Sequence, residues 1–176
     1  MPKITNIETI VQTRLFHVEK IDLEFSNGQI RSFERLKSGV RKSVIIVAMQ
    51  DQQNLLLIKE YSAGTERYEL GLPRGLVEPN ENICFGANRE LQEETGFAAA
   101  DLSRICELSV SPNYMTHSTE VILAKNLRPS KLPGDEPEPL EVISYNINEI
   151  SNLITTGQIT DSRSIAAIYI VKNLLL

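Results

Sequence analysis

Apolar and polar residues alternate along the first part of the chain, and this two-residue period predicts β-strands. Residues 21–25 alternate apolar with acidic side chains, and residues 30–33 resume the pattern after the pair Asn27 and Gly28. An Asn-Gly pair between two such runs is typical of a β-hairpin. Because an isolated hairpin of this size is marginally stable, we expect the N-terminal β segment, residues 1–40, to pack on the rest of the chain or on a second subunit.

Continuous apolar runs follow this segment. Residues 43–49 have the length of one strand without alternation, which indicates a strand buried on both faces, and residues 55–58 are its return strand. The polar, basic connector at residues 37–42 marks the boundary of a second domain, residues 41–176. Further strands are predicted at 104–110, 121–124 and 141–145, and helices at 81–95, from a cap at Asn148 to 154, and after a cap at Asp161.

The predicted helix at residues 81–95, which Gly96 ends, carries an unusual group of acids. Glu90, Glu93 and Glu94 are spaced i, i+3 and i+4, so they share one helix face. They lie in the last turns, where the helix dipole disfavours each of them by about 0.3–1 kcal/mol. The alternative is that these acids are solvated at the end of the helix and have no function. The helix would then still bear this energetic cost.

The apolar stripe of the same helix continues into these acids. Ile83, Ala87, Glu90 and Glu94 fall on one line at 100° per residue, so carboxylates should point towards a core. Charges in that position need to be paired or to bind a metal. Since Arg89 is the only cation in residues 81–95, we expect it not to neutralise three acids. The hard divalent cations Mg²⁺ and Mn²⁺ prefer carboxylate oxygens and would neutralise them.

These residues resemble a complete Nudix box, whose fixed positions here are Gly75, Glu81 and the run from Arg89 to Phe97. The resemblance implies the Nudix fold, an α/β/α sandwich with a mixed sheet, here with a small N-terminal antiparallel β segment. It also implies hydrolysis of a nucleoside diphosphate linked to another group.

The resemblance further implies a role for each position. The three helix glutamates would carry Mg²⁺, or Mn²⁺, or their waters, with the carbonyl of Arg74 as a further ligand. Glu81 and Arg89 would form a structural ion pair that locks the loop onto the helix. Gly75 would let the loop pass close to the metal through its backbone freedom.

Other stretches resemble the NudE-type ADP-compounds hydrolases of the ADP-ribose pyrophosphatase branch, over roughly residues 6–171. The particular stretches are residues 59–81, 111–114 and 134–140. This type is associated with ADP-ribose, NADH and adenosine dinucleotides, so the resemblance implies a metal-dependent pyrophosphohydrolase that releases AMP and a phosphorylated product. Members of the branch form intertwined homodimers through an N-terminal β segment, which implies a homodimer here.

The acid that would accept the proton of the attacking water is left open. The loop at residues 113–119 is expected to reach over the metal site, and the nearby acid is Glu120, with His117 before it. The alternatives are a strand-edge charge and a surface histidine. Residues 129–140 are proline-rich and acidic, and the corresponding segment of the NudE type lies near the active site. The resemblance therefore implies an auxiliary role in binding substrate or metal for Glu136 or Glu138.

Residues that bind substrate are also left open. The branch often places an arginine after the aromatic at the position of Tyr61, but here the residue is Ser62. Arg67 or Arg74 would replace it, since arginine forks suit phosphate oxygens. Tyr61 itself would either stack on adenine or lie in the core. Pro112 lies fifteen residues after Phe97, and a proline at about that distance resembles one that is typical of the branch. We therefore expect Pro112 to contact the substrate.

Composition narrows the function classes further. The net charge of −5 argues against non-specific binding to nucleic acid or to an anionic membrane. The two cysteines lack metal-ligand spacing, and no apolar run reaches the length of a signal peptide or a membrane span. We therefore expect a cytoplasmic enzyme with a small nucleotide substrate. The alternatives are a hydrolase of another nucleotide sugar or of capped RNA, which the lack of a basic stripe disfavours, and a non-catalytic nucleotide-sensing module.

Overall fold

The computed structural model describes residues 1–39 and 41–175. The chain divides into two compact units. The first comprises residues 1–40 and 109–118, and the second comprises residues 41–108 and 119–176.

The first unit contains a three-stranded antiparallel sheet. Its strands, in spatial order, are β1 (Lys3–Gln12), β2 (His17–Glu24) and β3 (Ile30–Leu36). Between β2 and β3 the chain turns at Gly28, whose φ of 78° is a conformation that glycine adopts without strain. The predicted hairpin is therefore confirmed, and β1 extends it to three strands.

A mixed sheet lies at the centre of the second unit. Its order is β7-β4-β9-β8, with β4 (Ser43–Ala48) parallel to β9 and antiparallel to β7. A second sheet has the order β10-β5-β6. The strands after β4 are β5 (Asn54–Ser62), β6 (Arg67–Gly71), β7 (Arg74–Leu76), β8 (Phe97–Ser109), β9 (Ser118–Pro129) and β10 (Glu141–Asn146).

The helices begin and end at the expected kinds of residue. Helix α1 (Ile83–Thr95) begins after Asn82, whose side chain accepts a hydrogen bond from Cys84 N–H, and ends at Gly96. A short 3-10 helix precedes α2, and Asn146 rather than the predicted Asn148 caps it, because the Asn146 side chain accepts from Asn148 N–H. The remaining helical elements are the 3-10 helix Ile147–Glu149, α2 (Ile150–Thr155) and α3 (Ser162–Leu175), the last capped by Asp161 as predicted. None of the helices in the described parts of the chain is long and apolar enough to cross a bilayer.

Strand β4 divides the core of the second unit into two layers. Ile45 and Val47 pack in one cluster with residues of α2 and α3, whereas Val44 and Ile46 pack with residues of α1. All six residues of β4 are buried, as its unbroken apolar run predicts. Helices therefore cover both sides of the strands, and the predicted α/β/α sandwich with a mixed sheet is confirmed.

Candidate active site

Glu94 is the most deeply buried acid of α1. It is 5% exposed, and its Oε2 accepts a hydrogen bond of 2.8 Å from the backbone N–H of Arg74. The pKa of the Glu94 carboxyl is raised to about 9, mainly by burial and to a lesser extent by repulsion from Glu136 and Glu60, against the opposing effect of Arg74. The apolar stripe of the helix therefore ends in a buried carboxyl group, as its spacing predicts.

A single guanidinium group connects the other acids of the motif. Arg89 Nη1 lies 2.8 Å from Glu90 Oε1 and 2.9 Å from Glu93 Oε2, and its Nη2 lies 3.3 Å from Glu81 Oε2. Arg89 Nη2 also donates to the carbonyl of Leu76 at 2.9 Å. Of the three helix acids, Arg89 reaches Glu90 and Glu93, and its single positive charge is shared between them and Glu81.

Glu81 fixes the loop before the helix. Besides its contact with Arg89, its Oε2 accepts from the backbone N–H of Glu78 at 2.9 Å. Burial acts to raise the pKa of Glu81, but the bonds from Arg89 and Glu78 outweigh it and leave that pKa below its usual value. The ion pair has the geometry that a lock between loop and helix needs, and that role stays a prediction.

Gly75 lies in β7, where it pairs with Val44, rather than in the expected loop. A Cβ built on Gly75 would overlap the carboxylate of Glu90. A side chain at this position would therefore displace the Glu90 carboxylate, so glycine is favoured for space. The φ of Gly75 is not positive, so the expected reason, backbone freedom, is wrong. Burial also raises the pKa of the Glu90 carboxyl.

Further acids join the site from distant parts of the chain. Glu60 of β5 lies 2.6 Å from Arg74 Nη2. Asp135 lies close enough to raise the pKa of Glu90 by repulsion, as Glu136 does for Glu94. Sequence reasoning missed Glu60 and Asp135. The alternation of β5 held a signal for Glu60, since it shares a strand face with Leu56, which packs against α1.

The acids fit a hard divalent cation by their donor chemistry. Within residues 1–39 and 41–175, no three acidic, histidine or cysteine side chains are gathered at one point as a finished metal site. Hydrogen bonds within the protein engage these carboxylates instead. Arg89 donates to Glu90 and Glu93, and the backbone N–H of Arg74 donates to Glu94. All the available donors are carboxylate oxygens, which Mg²⁺ and Mn²⁺ prefer.

The two candidate phosphate-binding arginines lie in different surroundings. Arg74 is half-buried beside Glu60 and Glu94. Arg67 instead binds Glu69 at 2.8 Å and Thr160 at 3.1 Å. The structure therefore brings Arg74 to the glutamates of the motif, and its contact with substrate stays a prediction.

Tyr61 is 52% exposed, and its ring meets that of Tyr68 edge to face with 5.5 Å between the centroids. The alternative that Tyr61 belongs to the core is therefore excluded. Stacking on adenine stays a prediction, as does the substrate contact of Pro112, which belongs to the first unit.

Glu120 is 7% exposed and lies in β9, between β4 and β8 in the sheet. Its alternative interpretation as a strand-edge charge is wrong, since β9 is an inner strand. Arg104 Nε donates to Glu120 Oε2 at 2.6 Å. Val44 pairs with Glu120 on one side and with Gly75 on the other. Glu120 therefore lies two strands from Gly75, and its catalytic role stays a prediction.

Comparisons with known proteins identify the family of the chain. The family model described as the NudE-type Nudix hydrolase N-terminal domain matches residues 2–35, and that of the NUDIX domain matches residues 39–167. The chain is 42% identical to the ADP compounds hydrolase NudE of Escherichia coli (strain K12), over 99% of this chain and 93% of that protein. It is 27% identical to an ADP-ribose pyrophosphatase of Bacillus subtilis (strain 168), over 92% of this chain and 90% of the relative.

A solved structure gives the same result in three dimensions. The crystal structure of an ADP compounds hydrolase matches with a TM-score of 0.92 at 42% identity, covering 99% of this chain and 94% of that one. The chain therefore belongs to the Nudix hydrolases and carries the N-terminal domain of their NudE type.

Proposed function

We propose that this Nudix enzyme hydrolyses the diphosphate of ADP-linked compounds, namely ADP-ribose, NADH and adenosine dinucleotides, to AMP and a phosphorylated product. The observation that carries the proposal is the burial of Glu94 within a group of acids that also includes Glu60 and Glu136. Such a group is costly unless it binds a cation. The substrate class is supported by the 42% identical relative, an ADP compounds hydrolase.

We expect Mg²⁺ at this site, with Mn²⁺ as the alternative. Glu90, Glu93, Glu94 and the carbonyl of Arg74 would hold it. A bound divalent cation neutralises charge on a diphosphate and lowers the pKa of a water molecule.

Side chains of the protein would orient the substrate and accept the proton of the attacking water. The guanidinium of Arg74 would donate to a phosphate oxygen, and its contact with Glu60 supports this role by holding the side chain in position. A water oxygen attacks one phosphorus in line, and the bond from that phosphorus to the bridging oxygen breaks. Glu120 or a glutamate of the helix accepts the proton of the water.

The test is product release from a panel of ADP-ribose, NADH, diadenosine triphosphate and GDP-mannose, each with Mg²⁺ and with chelator. Metal-dependent AMP release from the adenine compounds is expected. Preference for GDP-mannose would favour the alternative of another nucleotide sugar. Tight binding without turnover would favour a nucleotide-sensing module and contradict the proposal. Glu94→Gln removes one anionic ligand at constant size, so turnover should fall at least about a hundredfold with the fold retained.

We also propose that the chain is a cytoplasmic homodimer, with residues 1–40 as the dimerising segment and residues 41–176 as the hydrolase domain. The first unit supports the dimer because β1 exposes three isoleucines, Ile4, Ile7 and Ile10, each by about half of its surface. A row of exposed apolar side chains on a sheet is typical of an interaction surface.

A further inference from the structure

The segment that joins β9 to β10, residues 130–140, is bound at one end to the last turn of α1. We call this segment the acidic connector. The backbone N–H of Ser130 donates to the carbonyl of Gly96 at 2.8 Å, and that of Leu132 donates to the carbonyl of Gln92 at 3.4 Å. Ser130 Oγ also donates to the side chain of Gln92 at 2.8 Å. This end of the acidic connector is therefore fixed to the helix that carries the motif glutamates.

The middle of the acidic connector brings negative charge to the site. The backbone of this part passes beside α1, since a Cβ built on Gly134 would lie 3.5 Å from the carbonyl oxygen of Glu93. The negative charges of Asp135 and Glu136 raise the pKa of Glu90 and of Glu94, respectively. Like charges repel one another more strongly where water is partly excluded. The middle of the acidic connector therefore needs an attachment that holds it against this repulsion.

The attachment lies at the far end of the acidic connector. The hydroxyl of Tyr68, on β6, donates to Glu138 Oε1 at 2.6 Å. Hydrogen bonds to an ionised acceptor are shorter and roughly twice as strong as neutral ones. Glu138 itself is exposed, and this bond turns its carboxylate towards β6. One phenol thus ties down a segment whose next residues, from Glu141, pair with β5.

We propose that Tyr68 is a positioning residue, whose hydroxyl holds the acidic connector through Glu138 so that Asp135 and Glu136 stay beside Glu90 and Glu94. This inference rests on the proposed function, because it assigns Tyr68 a part in the same site. Tyr68 acts on the reaction through the charge that the acidic connector adds where the cation binds. Losing the hydroxyl lets the acidic connector move away from the glutamates and weakens cation binding.

Tyr68→Phe tests the inference because it removes the hydroxyl and keeps the ring against Tyr61. The first readout is Mn²⁺ affinity of the substrate-free enzyme, measured by electron paramagnetic resonance. The second is the rate at which endoproteinase Asp-N cleaves before Asp135, followed by mass spectrometry. We expect the Kd for Mn²⁺ and the cleavage rate each to rise about two- to tenfold, the range for the loss of one hydrogen bond. In turnover, the half-saturating Mg²⁺ concentration should rise by a larger factor than kcat falls.

Variants of Glu138, the hydrogen-bond acceptor of Tyr68, test whether the effect depends on this one bond. Glu138→Ala should reproduce Tyr68→Phe, and the double variant should add little to either, since both remove the same bond. Glu138→Gln keeps an acceptor oxygen and should restore most of the Mn²⁺ affinity. Tyr169→Phe, on α3, is the matched control for loss of a phenol and should bind Mn²⁺ as the parent does.

Two results would overturn the inference. One is a Tyr68→Phe variant with the parent's Mn²⁺ affinity and cleavage rate. The other is a double variant whose effects add in full, which would show that Tyr68 and Glu138 act separately. Both measurements are made without substrate, so they decide the role of Tyr68 even where the substrate panel contradicts the proposed function.

Discussion

Gly75 lies against Glu90 so closely that the Glu90 carboxylate fills the space where a Cβ of residue 75 would stand. The backbone of Gly75 is fixed by its pairing with Val44, so the side chain of Glu90 has to move when a methyl group is added. Gly75→Ala should therefore lower kcat about a hundredfold, the usual cost of a misplacement of about 1 Å near the chemistry.

Steady-state kinetics with saturating Mg²⁺ measure this loss, and circular dichroism checks that the fold is retained. Gly64→Ala is the matched control, because the nearest atom to its Cβ would be Ser62 Oγ at 4.0 Å. Turnover close to that of the parent in Gly75→Ala would show that Glu90 tolerates displacement and would contradict its assignment as a metal-holding residue.

The buried carboxyl of Glu94 predicts how stability depends on pH in chelator. Its pKa of about 9 in the folded chain lies above the value of about 4.3 for an unperturbed glutamate. The folded chain therefore binds this proton more tightly than the unfolded chain does. The resulting contribution to stability is complete below about pH 4, and it is lost as the pH rises through about 9.

Thermal unfolding between about pH 6 and pH 9 checks this sign. The parent should lose melting temperature with rising pH more steeply than Glu94→Gln, which has no carboxyl to titrate. Glu107→Gln, at an exposed glutamate, should follow the parent. Parallel profiles for the parent and Glu94→Gln would contradict the raised pKa.

Variants of Arg104 and Glu120 distinguish a role of Glu120 in stability from a role in catalysis. Arg104→Met leaves the nearly buried Glu120 carboxylate without the donor at 2.6 Å and should lower the free energy of unfolding by about 1–3 kcal/mol. Glu120→Gln keeps an acceptor for Arg104 and should cost less stability. If Glu120 accepts the proton of the water, Glu120→Gln lowers kcat about a hundredfold or more while the protein stays folded.

Chemical denaturation and kcat measured on both variants distinguish the two roles. A Glu120→Gln variant with the parent's kcat at every pH would assign the residue to structure alone. It would also leave the proton to a glutamate of α1.

The two arginines can be ranked by conservative substitution. Arg74→Lys keeps the backbone N–H that Glu94 accepts from, but it loses the guanidinium that binds Glu60 and that we propose donates to phosphate. We expect the KM for ADP-ribose to rise about tenfold or more in Arg74→Lys, and by a smaller factor in Arg67→Lys. The reverse order in a matched kinetic comparison would place the phosphate at Arg67.

The exposed isoleucines of β1 test the dimer. Light scattering after gel filtration should give twice the chain mass for the parent, and Ile7→Asp should shift the population towards the monomer because it places a charge in an apolar interface. Glu8→Ala, at the neighbouring exposed position, is the control. A monomeric mass for the parent would contradict the dimer.

Local sequence patterns predicted the helices, the N-terminal hairpin, the strands β4, β5, β9 and β10, and the burial of Glu94, but not β6, β7 or the first part of β8. The strands follow from runs and alternation, and Ala87 and Glu94 share one side of α1 because of helix geometry alone. The β-hairpin at Gly28 and the cap at Asn82 likewise depend on neighbouring residues. In each case the physical cause lies within a few positions along the chain.

Which residues surround the glutamates of α1 depends on tertiary contacts, and local sequence patterns do not encode these contacts. Arg89 reaches Glu81, eight positions before it, only because the loop folds back along the helix. Glu60 and Asp135 join Glu94 and Glu90 through the packing of β5 and of the acidic connector. Such neighbours follow from tertiary structure, so the helix acids were predicted as a group and their surroundings were not.

Strand β4 also limits how the chain can change over evolutionary time. Its odd and even positions supply two different cores, so a substitution in β4 disturbs one of them and the other remains intact. Insertion or deletion of one residue would exchange the two sets of side chains and would shift the pairing that sets Gly75 and Glu120 on either side of Val44. Related chains should therefore vary freely in which apolar residue stands at each position of β4 but keep its length, and length changes should fall in turns such as residues 50–53.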